Sequence, residues 1–548
     1  MTYLTSPAVV TPLADTPGAF FQALLEGRRG FSGPLHFESH GRRLGVCHQI
    51  DDHEEFDERY TEEERSALPS RCPRAHRLLN ALRVKLPEKL PQRLYLATTV
   101  GDIDLVTAGG TPEPDSPQSL LGYAKELFGA AEALLVSSAC ASGQRAICLA
   151  AEAVARGEID SALVVGCDQT SEFVTSGFGS LSALTDDLPR PYDAKRSGMA
   201  LGEAAAAVIV TREKPAEGLP VAWLAGYGES CDAAHITAPD AQGTWLAEAI
   251  RRAVPQEMTP SAVIGHGTGT IYNDQAELNA LQVAFPGHRL PLFSLKGNIG
   301  HTLGATGVLQ TIVAMEILRT RQFPPQAGLA CTASGAEDSV VPVMRVLSSE
   351  ANSVLTLNAG FGGLNNALLL VSAETVDQFQ PPLPRLSKPE LLFVTSDTTS
   401  VEQLGSAREE LIASGVLSAE DSADFRRASL TVKHAILAAA RLKEAAGMAW
   451  HPEEITIIGT GGDGVRFSNP AYWQDYVTHG SRRGRGALFV DTLASIPLCE
   501  VAIALRLHGA AGYLAGLPVE VLLRTSQTPY TLVLSATSEH AEAWLYRC

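Results

Sequence analysis

Short apolar runs, each followed by a polar or glycine-rich stretch and then a longer amphipathic segment, recur through the first 375 residues. Residues 8–33 read as a strand end, a turn and an amphipathic helix closed by glycine. Residues 40–92 are polar, with a helix predicted over Arg74 to Lys85. LYLATT at 94–99 predicts a strand, followed by a glycine- and proline-rich loop and a helix near 117–128. SALVVGCD at 161–168 is short enough for a buried strand. The alternation then returns: LAEAIRRAV as helix, SAVIGHGTGT as strand and loop, QAELNALQVAF as helix, PLFSLKGNIGHTLGATG as strand and loop, VLQTIVAMEIL as helix. VLTLNAGFGGLNNALLLV closes this half as two strands around a glycine turn. Such alternation predicts a mostly parallel, layered α/β fold, with sites at the C-terminal ends of strands.

The stretch EALLVSSACASGQRAICLAAEAVARGE (132–158) concentrates the candidate chemistry. Its pattern predicts strand, sharp turn and helix, with Cys140 where the helix starts. There the unpaired amides and the positive end of the helix dipole favour thiolate over thiol. Ala139, Ala141, Ser142 and Gly143 are small and leave room for a substrate carbonyl. A lone free cysteine is more often a small buried hydrophobe; the rest of the chain reverses that reading.

Composition narrows the field. At 548 residues, 45% hydrophobic and 19% charged, the chain is globular and long enough for more than one unit. Its 9 cysteines are scattered without C-x-x-C or zinc-like Cys/His spacing, which points to free thiols in a reducing compartment. The N-terminus lacks a signal-peptide pattern and no apolar run reaches membrane-spanning length, so a soluble cytoplasmic protein is expected. A net charge of -18 argues against nucleic acid or anionic membranes as partners, but leaves room for a local Arg/Lys patch that docks an acidic partner.

His266 opens HGTGT after an apolar strand, and His301 closes KGNIGH. Either histidine alone reads as structural; two on glycine-rich loops after strands do not. A cysteine with two histidines and no metal spacing suits carbon–carbon bond formation on thioesters. The sulfur would carry an acyl group, and two neutral imidazoles would donate hydrogen bonds to a developing enolate or oxyanion. Lys296 and Glu277, in apolar or glycine-rich surroundings, read as a buried pair that steers the histidines.

The ordered set SACASG (138–143), RPYDAKRSGMALGE (190–203), HGTGTIYNDQAE (266–277), SLKGNIGHTLGATG (294–307) and GFGGLN (360–365) resembles the β-ketoacyl-acyl carrier protein synthases over residues 1–375. The resemblance implies a thiolase fold, a duplicated five-layer α-β-α-β-α arrangement, usually dimeric. It implies that Cys140 is acylated, that His266 and His301 bind the extender carbonyl and promote decarboxylation, and that Lys296 and Glu277 form a supporting ion pair. Thr268 and Thr270 match threonines that bond phosphopantetheine. Phe361 matches a gating aromatic whose loop amide, with that of Cys140, forms the oxyanion hole. No metal or other cofactor is implied beyond carrier-bound phosphopantetheine on the substrates. Where the family commonly has a second phenylalanine, this chain has Ala359, which implies a changed or enlarged acyl site of the kind seen in ketosynthases of aromatic and polyene polyketide pathways.

The proline-rich segment 376–390 reads as a linker, and 391–548 as a smaller α/β domain. Its ITIIGTGGD (455–463) parallels LYLATTVGD (94–102), and RLHGAAGYLA (506–515) parallels ELFGAAEALL (126–135), an internal repeat of the half that leads up to the nucleophile. The step from Gly129 to Cys140, taken from Gly509, reaches Glu520, so the second copy reads as truncated and without a nucleophile. Gly459 to Gly464 spells G-x-G-x-x-G, but no helix-opening sequence follows and a dinucleotide site is not expected. The block reads as cover for a surface or dimer edge, or as a docking module or mimic of an inactive partner subunit. The chain as a whole reads as a decarboxylating ketosynthase of polyketide or pyrrole-pigment type, a homodimer working with an acyl carrier protein. Acyl transfer without decarboxylation and a noncatalytic chain-length-type subunit are the alternatives.

Overall fold

The computed structural model describes residues 2–547 apart from 35, 40, 52–72, 104–115, 215–220, 376–389, 418–429, 449, 452–453, 460–500, 502–503, 507–510, 516–527 and 537–539. The 376–390 linker (all but its last residue) and most of the G-x-G-x-x-G stretch lie outside the described residues.

The first half runs β1 (Tyr3–Val10), α1 (Pro17–Leu25), α2 (Arg74–Arg83), β2 (Arg93–Ala97), α3 (Ser116–Phe128), β3 (Glu132–Ser137), α4 (Ser142–Ala155), β4 (Ser161–Asp168), α5 (Glu172–Ser180) and β5 (Ala204–Thr211). The second runs β6 (Ala222–Cys231), α6 (Thr244–Ala253), β7 (Ala262–Ile264), α7 (Ile271–Ala284), β8 (Leu292–Phe293), the short α8 (Lys296–Ile299) and α9 (Thr306–Thr320). A two-residue ribbon, β9 (Gln322–Phe323) with β10 (Arg345–Val346), then leads to β11 (Ser353–Gly360) and β12 (Leu364–Ser372). The two halves have one topology: β3-β2-β4-β5-β1 in the first and β8-β7-β11-β12-β6 in the second, joined where β1 meets β6.

Three apolar clusters resolve the layers. One packs α2 and α3 on the outer face of the first sheet, one packs α6 and α7 on the outer face of the second, and the largest packs α4 and α9 between the inner faces. This is the five-layer arrangement expected. Helix α4 is buried from Ser142 to Val154, as a helix in a central layer must be. Glycine permits its closeness to α9, because a Cβ on Gly307 would lie 2.4 Å from the Gln144 nitrogen. Each fully buried Leu or Val of β4 contributes about 1.5–3 kcal/mol.

The C-terminal block holds β13 (Glu390–Asp397), α10 (Leu404–Ala413), α11 (Leu430–Ala446), β14 (Ile455–Gly459), β15 (Ala511–Ala515), β16 (Tyr530–Ala536) and β17 (Ala541–Arg547). Its order, β15-β14-β16-β17-β13, repeats β3-β2-β4-β5-β1 strand for strand and direction for direction. The repeat therefore extends beyond the point where sequence similarity ends: β16 and β17 stand for β4 and β5. Residues 537–540 replace the long segment 169–203, so no sequence similarity could reveal the match. Strand β15 pairs antiparallel with β3, Leu514 opposite Ser137 and Ala515 opposite Val136. Since β15 is the repeat's own copy of β3, the two copies face each other across a local two-fold, the geometry of an isologous contact.

Candidate active site

Cys140 stands between β3 and α4, on an elbow whose preceding residue, Ala139, has φ +47°, a left-handed conformation costly for a residue with a Cβ. Local bonds hold it. Ser142 Oγ donates to Ala139 O at 2.6 Å and accepts from Ser138 N at 2.8 Å, while Thr99 Oγ1 donates to Ala139 O at 3.3 Å. The thiol differs from the sequence expectation. Burial pushes it up to about 12, against the pull of Lys296 and of the Phe361 and Cys140 amides, so the resting group is a neutral thiol. Only 6% of Cys140 is exposed, and desolvation outweighs the helix dipole.

His301 Nε2 lies 2.9 Å from Cys140 Sγ. On the other side of the ring, Nδ1 accepts from Leu303 N at 3.3 Å, which leaves the proton on Nε2, facing the sulfur. The ring is not placed directly by β8, as the sequence pattern implied. The short α8 intervenes, and His301 N donates to Ala200 O at 2.8 Å, in a bridge alongside Leu201. His266 follows β7, its ring centroid 5.4 Å from that of His301 and at 89° to it. Lys296 Nζ sits 3.2 Å from His266 Nδ1 and also donates to His266 O. An ammonium on Nδ1 leaves the proton on Nε2 in this ring too. Burial, aided by Lys296, holds both imidazoles well below their ordinary pKa, hence neutral. Burial also brings Lys296 down to about 8, with Cys140, Glu277 and Asp274 pulling it back up.

Glu277 is brought to the same centre, but not as an ion-pair partner: among the described residues, no contact within 4.0 Å joins it to Lys296. Its carboxylate is spent on the His266 and Gly267 amides, at 2.5 and 2.9 Å, and on Tyr192 Oη at 2.8 Å. Lys296 feels it only through space. The expected pair is thus two separate supports, one for the His266 backbone and one for its ring. Thr268 lines the pocket around Cys140, and its hydroxyl is 2.9 Å from that of Thr270, which is further out. Phe361 caps the pocket, its ring 5.4 Å from that of Phe178, and a Cβ on Gly360 would lie 3.3 Å from Cys140 N. Ala359 lines the same pocket, together with Phe178 and Met199.

Sequence reasoning missed three supports. Asp274, one helical turn before Glu277 on α7, accepts from the Thr268, Gly269 and Tyr192 amides at 2.8, 3.1 and 2.8 Å. The i, i+3 spacing of two acids in NDQAE was the available signal. Tyr192 sits behind the histidine loop: a Cβ on Gly265 would lie 2.0 Å from its hydroxyl. Asp168, at the end of β4, binds Thr98 Oγ1 (2.7 Å), Thr99 N (2.9 Å) and Gly304 N (2.6 Å), tying the elbow's neighbour to the loop after His301. Burial pushes Asp168 and Asp274 up to about 6.

Comparison with known proteins adds to this geometry. Residues 101–216 match the beta-ketoacyl synthase N-terminal domain, and residues 221–330 the beta-ketoacyl synthase C-terminal domain. Residues 101–330 are thus similar to the two domains of the beta-ketoacyl synthases. It is 33% identical over 257 residues to a Streptomyces coelicolor protein named as an actinorhodin polyketide beta-ketoacyl synthase 1, covering 44% of this chain and 55% of that protein. It thus spans under two thirds of that relative. With 3-oxoacyl-[acyl-carrier-protein] synthase 2 of Vibrio harveyi it shares 26% identity over 67% of this chain and 97% of the relative. A beta-ketoacyl synthase structure from Burkholderia phymatum superposes with a TM-score of 0.59 at 25% identity, covering 68% of this chain and 99% of that one. The PfaC keto synthase–chain length factor gives 0.73 at 14% identity over 100% of this chain and 78% of its own, a likeness of fold that takes in the C-terminal block. Among the described residues, no helix is long and apolar enough to cross a membrane.

Proposed function

We propose that this chain is a decarboxylating β-ketoacyl synthase that extends a Cys140-bound acyl group with a malonyl unit, both delivered as thioesters on phosphopantetheine arms of a carrier protein. The observation that carries the proposal is the pair of neutral imidazoles at Cys140, each with Nδ1 engaged and Nε2–H left for the pocket. In the first step the Cys140 sulfur adds to the acyl thioester carbonyl, the departing pantetheine sulfur takes the proton, and the Cys140 and Phe361 amides hold the oxyanion. In the second, His266 and His301 donate to the malonyl thioester oxygen as carbon dioxide leaves. The enolate carbon then attacks the acyl carbonyl, and the Cys140 sulfur departs with the bonding pair. Thr268 and Thr270 would bond the pantetheine arm. Lys296 and Glu277 position His266.

The polyketide-named relative and Ala359 favour a specialised-metabolite substrate, and the cytoplasm is the proposed compartment. Residues 1–375 would form the catalytic domain, and 391–548 a second half without a nucleophile that imitates a partner subunit. A homodimer would have to use a surface other than the β3 edge, which β15 fills. The test is carbon dioxide release from a malonyl-loaded carrier. The wild type should release it, and His266→Ala should be slower by about 10²–10³-fold, the usual cost of one oxyanion donor. Equal release by wild type and variant would refute the proposal. Acyl turnover without release would make the chain a simple acyltransferase, and no turnover at all a noncatalytic subunit.

A further inference from the structure

Two loops close the mouth of the Cys140 pocket. One is 360–364, which carries Phe361; the other is 232–239, which supplies Asp232, Thr237, Ala238 and Pro239 to the lining. They are stitched together. Gly362 N donates to Ile236 O at 2.8 Å, Asp232 N to Gly363 O at 2.7 Å, and Asn365 Nδ2 to Asp232 Oδ1 at 2.6 Å. Ala233 has φ +44°, so this loop is held in a conformation it would not choose alone. Behind them lies the C-terminal block. Cys231, Ala233 and Leu364, at the roots of the two loops, share one buried apolar cluster with α11, β14 and β16. Ile236 packs against that cluster and also against the apolar cluster of Phe178 and Met199, on which Phe361 rests. Strand β15 lies on the adjoining β6 and β12.

We infer that the C-terminal block is a brace: it holds Phe361 closed over Cys140 through the apolar seam at Ile236, Ala233 and Leu364. A half without a nucleophile thereby acts on the nucleophile of the other half, and Ile236 is the positioning residue between them. The inference rests on Cys140 lying behind Phe361 and not on the condensation chemistry, so it can fail or stand independently of the proposed activity.

The test is the rate at which iodoacetamide alkylates Cys140 in the full chain, read by peptide mass so that the exposed Cys331 does not interfere. Ile236→Ala removes the side chain common to both clusters, and should speed alkylation by about tenfold for a contact of this size. Leu411→Ala, in the same C-terminal cluster but on α10, serves as the control for general loosening. The brace predicts a large acceleration for Ile236→Ala and little for Leu411→Ala, with both variants folded by circular dichroism. Equal acceleration in the two variants, or none in either, would overturn it. Should Ile236→Ala fail to fold, Ile236→Val gives the same reading at smaller amplitude.

Discussion

Replacing Lys296 by methionine separates the two chemical steps. The side chain is fully buried, and methionine keeps most of its volume, so packing is largely preserved. What is lost is the donor to His266 Nδ1 and to His266 O. A buried acceptor without a partner costs about 1–3 kcal/mol, and the ring can escape that cost by moving its proton to Nδ1. The same move strips Nε2 of the hydrogen it presents to the pocket. Loss of one such donor slows a reaction by about 10²–10³-fold, or about 2.7–4 kcal/mol. Cys140 feels Lys296 only through space, so its acylation should slow much less than the second step. The assay is a single-turnover pair on one preparation: intact mass for acylation of Cys140 by an acyl-carrier, then carbon dioxide release from a malonyl-carrier. Equal losses in both steps would refute the assignment of Lys296 to His266. So would an unimpaired second step.

Tyr192→Phe deletes the hydroxyl that donates to Glu277 without opening a cavity, and should lower stability by about 1–3 kcal/mol in urea unfolding; an unchanged free energy would mean that the bond is not made. Gly45→Ala would place a Cβ 1.9 Å from the Ile299 carbonyl, just behind the His301 loop, and should fold poorly, whereas Gly33→Ala meets nothing within 4 Å and should be near neutral by thermal melting. Glu152, between Arg145, Arg156 and Tyr227, is pushed by burial up to about 7 from 4.5. A raised carboxyl pKa means stability that is complete below pH 4.5 and is lost as pH climbs through 7, so Glu152→Gln should gain about 3 kcal/mol on the wild type between those limits. A gap that does not vary with pH would contradict the raised Glu152 carboxyl.

The sequence showed the site more fully than its supports. Cys140, His266 and His301 lie in glycine-rich motifs because a substrate must approach backbone there, and such motifs are local. The strand before the elbow and the 161–168 strand were equally legible as uninterrupted apolar runs between turns. Asp168 and Tyr192 are distant in sequence from what they hold; Asp274 lies only five and six residues beyond the loop amides it binds, and its spacing from Glu277 was the one signal it offered. The state of Cys140 was misjudged for a related reason: position at a helix start can be read from sequence, but burial cannot. In the C-terminal block, β16 and β17 repeat β4 and β5 although the chain segments before and between them are much shorter than 138–160 and 169–203. Topology kept there what sequence similarity had lost.

The most direct test of the account follows the intact mass of the wild-type chain and of Cys140→Ala through two additions, first an acyl-loaded carrier and then a malonyl-loaded carrier. The account predicts an acyl adduct on the wild type alone, cleared by the second addition as a carrier-bound product longer by the extender unit appears. An adduct that survives in Cys140→Ala, or one that persists while the malonyl carrier stays intact, would contradict it.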